Sequence, residues 1–274
     1  MTIWMNGTIL PEEDARVSPM SAGLLYGWGV FTTLGVRGGR ARAFTHHWSR
    51  LTAHAERLRV PLAHGPDDVQ AALEAVIGAQ GVVDGRARVT AVRSSAGVWQ
   101  PAGGAGSDLF VFAASVADTS GTPLALTVSP HRVLSSAPLA GVKSTAYVGQ
   151  LLALEEARAR GFDEAVMLNE RGEVAEAAAA NLFWARDGEL YTPSLATGCL
   201  PGVTRRLVLE AARARRVRVT EGGFALSELR GAEEVFLTNS THGVIPAAEL
   251  DMHKFAGGPV TSRLAEGLER LLGA

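Results

Sequence analysis

The stretch "AGVKSTAYVGQLLALEEARARGFDEAVMLNERGEVAEA", residues 140–177, decides the fold. It opens on a lysine among small residues. A helical pattern follows, then a β-type run, a turn and the approach to a second β-type run. Helix and strands in so short a span make this an α/β or α+β half. The lysine is unusual. Lys143 is one of only two in the chain, the other being Lys254; all other basic side chains are arginines. Genome base composition explains why lysines are few, but not where they remain. An amine can form a Schiff base and a guanidinium cannot. Lys143 is therefore either a surface cation at a strand end or an amine kept for covalent chemistry.

Outward from this stretch, composition narrows the class. The chain has 274 residues, 47% hydrophobic and 20% charged, with a formal net charge of −2. That length suits one large domain or two modest ones, with a sizeable core. The charge balance and the scattered arginines give no field for nucleic acid or an anionic membrane. A single cysteine, Cys199, allows no disulfide within the chain and points to a reducing compartment. The first residues lack a signal-peptide pattern, and no run of about 20 apolar residues is present to span a bilayer. The expectation is a soluble, cytoplasmic protein.

Two hairpins open the chain, turning at Asn6-Gly7 and at Gly38-Gly39. Helices are predicted from about Thr45 and over "GPDDVQAALEAVIGAQG". "RARVTAVRSS" alternates as a strand, and "DLFVFAASV" is predicted to be buried throughout. Residues 96–107 form a Gly-rich loop, either an ordinary surface loop or a mobile lid. Residues 117–123 read as a linker between an N-terminal domain, 1–116, and a C-terminal domain, 124–274. In the second half, "LALTVSPHRV" is a strand and "AYVGQLLALEEARARGF" a strongly amphipathic helix. Asp187-Gly188 turns a further hairpin, and "PGVTRRLVLEAARAR" begins another helix. "EEVFLTNSTHGVIPAAEL" is a strand running into a polar loop, and the last helix spans about 259–272.

Several residues could carry chemistry, each with a plainer alternative. The N–H groups of Val203 and Thr204 at a helix start suit a phosphate, though many helices begin this way. Ser240 and Thr241, past a strand end, could form a second anion loop or a solvated turn. Glu176 precedes four alanines. A carboxylate among small apolar residues needs a partner, and a cationic pyridinium nitrogen would be one. Arg50 is either a solvated helix arginine or a phosphate ligand. His46 and His47 lack the companions of a metal site, so no metal is expected. No Gly-x-Ser-x-Gly elbow, P-loop or dinucleotide fingerprint is present.

The order of these elements carries a resemblance. Arg50 in His-x-x-Arg-Leu, Lys143 near mid-chain, Glu176 about thirty residues on, "PGVTR", and Ser240-Thr241 after a strand resemble the class IV pyridoxal-phosphate enzymes. That family includes branched-chain and D-amino-acid aminotransferases and aminodeoxychorismate lyases. The resemblance runs from Tyr26 to Pro246. It implies the two-domain α/β (α+β) architecture called fold type IV. The N-terminal domain would be the smaller, and the larger C-terminal domain would have a mixed, barrel-like sheet. The cofactor would lie in the cleft between them, usually in a homodimer. Lys143 would carry pyridoxal 5'-phosphate, and Glu176 would keep its ring nitrogen protonated. Arg50, Val203, Thr204, Ser240 and Thr241 would grip the phosphate, and Tyr147 would lie beside the ring.

Within the family, "YGWGVFTTLGV", "AAANLFW" and "RVTAVRSSAGVWQP" resemble the lyase branch. By this reading the substrate is 4-amino-4-deoxychorismate, and the products are 4-aminobenzoate, used for folate synthesis, and pyruvate. The alternative is an aminotransferase for branched-chain or D-amino acids. Tyr26, Trp28, Thr33 and Arg93 are the expected substrate-side residues. Strand neighbours face opposite sides, so only one of Thr32 and Thr33 can face the site and alternation does not rank them; Thr33 is the one taken. Trp28 stands where the family usually has Asp, either at the site entrance or at a dimer contact.

Overall fold

A computed structural model describes residues 1–95, 106–117 and 121–273. Residues 96–105 of the Gly-rich loop and 118–120 of the linker fall outside these residues. The chain packs as two compact units: Met1–Asp118 with Val142–Tyr147, and Thr119–Gly141 with Val148–Ala274. Chain order alone would place 142–147 with the second unit.

The first unit contains β1 (Thr2–Met5), β2 (Thr8–Pro11), α1 (Ala22–Tyr26), β3 (Gly29–Arg37), β4 (Arg40–Ala41), α2 (Phe44–Arg57), α3 (Pro66–Ala79), β5 (Gly85–Arg93) and β6 (Ser107–Ser115). The β1–β2 hairpin turns at Asn6 (φ 49°) and Gly7 (φ 96°), the left-handed pair that matches strand twist. The sheet order is β2-β1-β6-β5-β3-β4, antiparallel throughout. Alternate residues, including Val30, Leu34, Val89, Leu109 and Val111, point into one core with Leu51 and Ala55 of α2 and Leu73 and Val76 of α3. The opposite face carries Phe31, Thr33, Arg88, Thr90, Phe110 and Phe112 by register. This corrects the expectation for "DLFVFAASV". Only its alternate residues are fully buried, because α2 and α3 cover one face of the sheet and not the other.

The second unit contains β7 (Leu124–Val133), α4 (Val148–Ala159), β8 (Glu164–Asn169), β9 (Val174–Ala177), β10 (Asn181–Arg186), β11 (Glu189–Pro193), α5 (Val203–Ala214), β12 (Val219–Gly222), α6 (Leu226–Arg230), β13 (Glu234–Asn239), β14 (Gly243–Leu250), β15 (His253–Lys254) and α7 (Pro259–Gly273). Its sheet runs β12-β11-β10-β13-β14-β7-β8-β9, with β15 on β14. It is mixed: β7 is parallel to both β8 and β14, β11 is parallel to β12, and the other pairs are antiparallel. The central strands are buried along nearly their whole length, as strands covered on both faces are. On β10 and β13, Leu182, Trp184 and Leu237 enter one core. Phe183 and Phe236, on the other face, stack at 5.1 Å.

Two expectations for this unit need correction. The helix α4 forms, but it buries only Ala153 and Ala157, while Val148, Leu151 and Leu152 are exposed. Its small face lets the backbone approach the sheet closely, and its leucines point away. The polar stretch after β13 is only residues 240–242. The chain turns there into a second strand, β14, that the loop reading missed.

Candidate active site

The segment Val142–Tyr147 lies along the start of β3. Phe31 N–H donates to Lys143 O (3.0 Å), Thr145 N–H donates to Gly29 O (2.9 Å), and Ser144 bridges Val30. The approach depends on Gly29. A Cβ there would stand 2.7 Å from Ala91 O and 2.8 Å from Thr145 Oγ1. Lys143 Nζ lies 4.6 Å from the Phe31 ring centroid and 5.0 Å from that of Tyr147. Those two rings meet edge to face at 5.3 Å. The aromatic faces offer the amine a favourable quadrupole.

Beneath this segment, α2 presents polar side chains to β3. Arg50 Nη2 donates to Thr32 Oγ1 (2.9 Å), and the same hydroxyl lies 2.7 Å from His47 Nδ1. Thr32 therefore accepts from the guanidinium and shares a second hydrogen bond with the imidazole, whose direction is set by the His47 tautomer. Burial lowers Arg50 to about 10, with Tyr147 pushing the other way, so the guanidinium stays charged at neutral pH. Burial, then Arg50, Lys143 and His46, holds His47 well below its ordinary value. A guanidinium withdrawn from water suits an anionic partner.

The remaining expected residues of this unit divide. Thr33 lies on the face of β3 that carries Phe31, opposite Thr32. Tyr26 is exposed at the end of α1. Trp28 Nε1 donates to Leu58 O (2.7 Å), and the Arg93 guanidinium lies over its ring at 4.8 Å. Sequence reasoning missed Arg88, whose guanidinium sits 3.6 Å over Phe31. Its signal was two-residue alternation along β5, but the register that sets Arg88 across from Thr33 is a tertiary fact.

In the second unit, Glu176 is buried on β9 and its Oε2 accepts Leu200 N–H (2.8 Å). Asn181 Nδ2 donates to Leu200 O (2.8 Å). Burial, with the Glu176 carboxylate adding to it, pushes the Cys199 thiol up to about 11. Two residues past Leu200, Gly202 precedes α5. A Cβ there would stand 2.0 Å from Asn181 Oδ1. Val203 and Thr204 form the first turn of α5, whose N–H groups have no partner within the helix. Ser240 and Thr241 occupy the turn after β13, where Asn239 Oδ1 accepts Thr241 N–H (3.1 Å) and His242 N–H (2.9 Å). Thr238, paired in register with Asn181, has a buried hydroxyl with no hydrogen-bond partner among the described residues. Among those residues no group of three or more His, Cys, Asp or Glu side chains could hold a metal ion. No helix among them is long and apolar enough to cross a membrane.

The pattern of class IV amino-transferases matches residues 29–250. The chain belongs to the class IV aminotransferase family. It is an enzyme of that family, whose members use pyridoxal phosphate in transaminase or lyase reactions. It is 30% identical to an aminodeoxychorismate lyase of Bacillus subtilis, over 96% of this chain and 92% of the relative. The fold, mixed α/β as the sequence implies, matches that of a branched-chain aminotransferase from Thermoproteus uzoniensis, solved with norvaline. Its TM-score is 0.91 and its identity 28%, covering 99% of this chain and 94% of that one. A T.th. branched-chain aminotransferase, solved with pyridoxamine 5'-phosphate, aligns with a TM-score of 0.90 and 29% identity over 99% of this chain and 94% of that one. These likenesses span both reaction types.

Proposed function

We propose that this class IV enzyme is an aminodeoxychorismate lyase, releasing pyruvate from 4-amino-4-deoxychorismate and leaving 4-aminobenzoate. The observation that carries the reading is Thr33. Its hydroxyl belongs to the β3 face whose Phe31 ring abuts the Lys143 amine, and elimination needs a proton donor near the departing oxygen. Arg88 over the same ring offers a charge for a substrate carboxylate.

The residues fit pyridoxal phosphate. Lys143 would hold it covalently and then take a proton from the substrate ring. Glu176, kept in place by Leu200 N–H, would stabilise a protonated ring nitrogen. The start of α5 with Val203 and Thr204, together with Ser240, Thr241 and Arg50, would bind the phosphate. The Thr238 hydroxyl is a group a bound ligand could satisfy. When bound, the cofactor supplies an electron sink for the pair left by the departing proton. We also propose a homodimer, for which the exposed Leu24, Leu25 and Tyr26 of α1 supply apolar surface.

The second reading is a branched-chain or D-amino-acid aminotransferase, favoured by the likeness to branched-chain aminotransferase structures. A product assay separates the two. Purified enzyme given 4-amino-4-deoxychorismate should yield 4-aminobenzoate and pyruvate in equal amounts. No product there, with amino transfer from an amino acid to a keto acid, would establish the aminotransferase instead.

A further inference from the structure

The buried face of α2 carries His47, Arg50 and His54 at helical spacing, a polar stripe pressed against the sheet. His47 and Arg50 share Thr32. His54 does something different: its Nδ1 accepts the backbone N–H of Lys143 at 3.1 Å. We propose that His54 is a positioning residue for Lys143, holding the lysine's peptide N–H and so fixing where its side chain leaves the backbone. The inference rests on reading Lys143 as the cofactor-bearing lysine.

The geometry supports it from both sides of the residue. Lys143 O accepts from Phe31 N–H and Lys143 N–H is held by His54, so its root is clamped fore and aft. Among the described residues a single bridge, Val30 to Ser144, ties this segment to β3 as strand pairing. A lysine has four side-chain torsions, so a small shift at the root becomes a large one at Nζ. The imidazole is also locked as an acceptor. The donor fixes its tautomer, with the lone pair on Nδ1 and the proton on Nε2. The charges that act on it, Arg50 and Arg57 on its own helix and Lys143 across from it, are all cationic. Burial and those charges lower it to about 4, so it keeps its lone pair at neutral pH.

The scarcity of lysine makes the test direct. Lysine labelling with ¹⁵N gives backbone signals from Lys143 and Lys254 alone. With histidine also labelled, one of the two should show a through-hydrogen-bond coupling to an imidazole Nδ1, and Lys143→Arg should remove that signal. His54→Leu in the cofactor-free protein should speed exchange of the Lys143 amide about five- to tenfold, the equivalent of one hydrogen bond. His54→Asn, whose Oδ1 can take the place of Nδ1, should restore it. In the loaded enzyme, the pH midpoint of the cofactor's visible band should shift in His54→Leu and return in His54→Asn. Absence of the coupling in the wild type, unchanged exchange in His54→Leu, or no recovery in His54→Asn would overturn the proposal. If His54→Leu does not fold, the wild-type coupling decides alone. A wild-type protein that is colourless, or that borohydride fixes at another residue, would instead overturn the reading of Lys143, leaving the coupling to report on His54 independently.

Discussion

The two sheets treat their faces differently, and their functional groups follow. The sheet of the first unit buries one face under α2 and α3, while its other face carries Phe31, Thr33 and Arg88, with the Lys143 amine over the Phe31 ring. The central strands of the second unit are buried along nearly their whole length, which leaves little sheet surface for a ligand. Its polar groups gather instead where strands end and a helix begins: Glu176 on Leu200 N–H, the first turn of α5, and the turn after β13. One region offers an amine and a guanidinium on a framework of packed rings. The other offers backbone donors and one carboxylate.

If that division is right, breaking the first region should remove chemistry outright. Lys143→Ala should lose the yellow colour and reduce turnover by about ten-thousand-fold, since Lys143 supplies the amine beside Phe31 and Tyr147. Lys143→Arg should fail equally despite keeping the charge. Absorbance of the purified variants and product formation check both, and an active, colourless Lys143→Arg would end the proposed mechanism.

The second region should separate chemistry from stability. Glu176→Ala leaves Leu200 N–H without its acceptor, which should cost about 1–3 kcal/mol of folding stability. Turnover should fall by about a hundredfold or more, with cofactor still bound. Glu176→Gln keeps an oxygen for Leu200 and should lose turnover while retaining most of the stability. Denaturant titration beside steady-state rates reads both quantities. Unchanged turnover in either variant would remove Glu176 from the site.

The same contrast explains what could be read from the sequence. Backbone-donor sites announce themselves locally: "PGVTRR" spells a helix start, and α5 begins at Val203. Hairpins turning at Asn6-Gly7 and Asp187-Gly188 are equally local. Lys143 stood out by residue type. What Lys143 touches did not, because Phe31 and His54 lie about a hundred residues away in the chain and meet it only through packing. Arg88 was missed in favour of Arg93 for the same reason, since strand register decides which arginine lies on Phe31. The leucines of α4 misled in the other direction. Helical periodicity tells which residues share a face, but not that alanines would take the inner one.

Acid should distinguish the two regions next. His54 has its pKa lowered to about 4 from an ordinary 6.5, by burial first and then by Arg50, Arg57 and Lys143. His47 is lowered in the same direction. Between 6.5 and about 4 the unfolded chain binds a proton at His54 that the folded chain refuses, so this contribution to stability is complete above about pH 6.5 and is lost as pH drops toward 4. The drop from 6.5 to about 4 at His54 corresponds to about 3 kcal/mol at the lower end. Burial raises Glu164 of the second unit to about 7, which adds stability over the same range as pH falls. The loss should therefore be read as the difference between wild type and His54→Asn in unfolding free energy at pH 7.5 and pH 5, with hydrogen exchange placing it in the first unit. His54→Asn should flatten the slope, and a slope equal to wild type would show that His54 is not what titrates.

The smallest effect concerns the hydroxyl of Thr238. It is buried with no hydrogen-bond partner among the described residues, next in register to the Asn181 that braces Leu200. A buried hydroxyl left unsatisfied costs stability, and valine keeps its shape without its polarity. Thr238→Val should therefore stabilise the cofactor-free protein by about 1 kcal/mol. If a bound ligand satisfies that hydroxyl, the gain should shrink once cofactor is present, and cofactor affinity should fall by the same factor, as linkage requires. Melting curves with and without pyridoxal phosphate measure both terms. An equal gain in the two states would separate Thr238 from the ligand, and a loss in the cofactor-free state would mean the hydroxyl already has a partner. Only a gain that the cofactor erases joins Thr238 to the backbone donors of α5 as part of one anion-binding end.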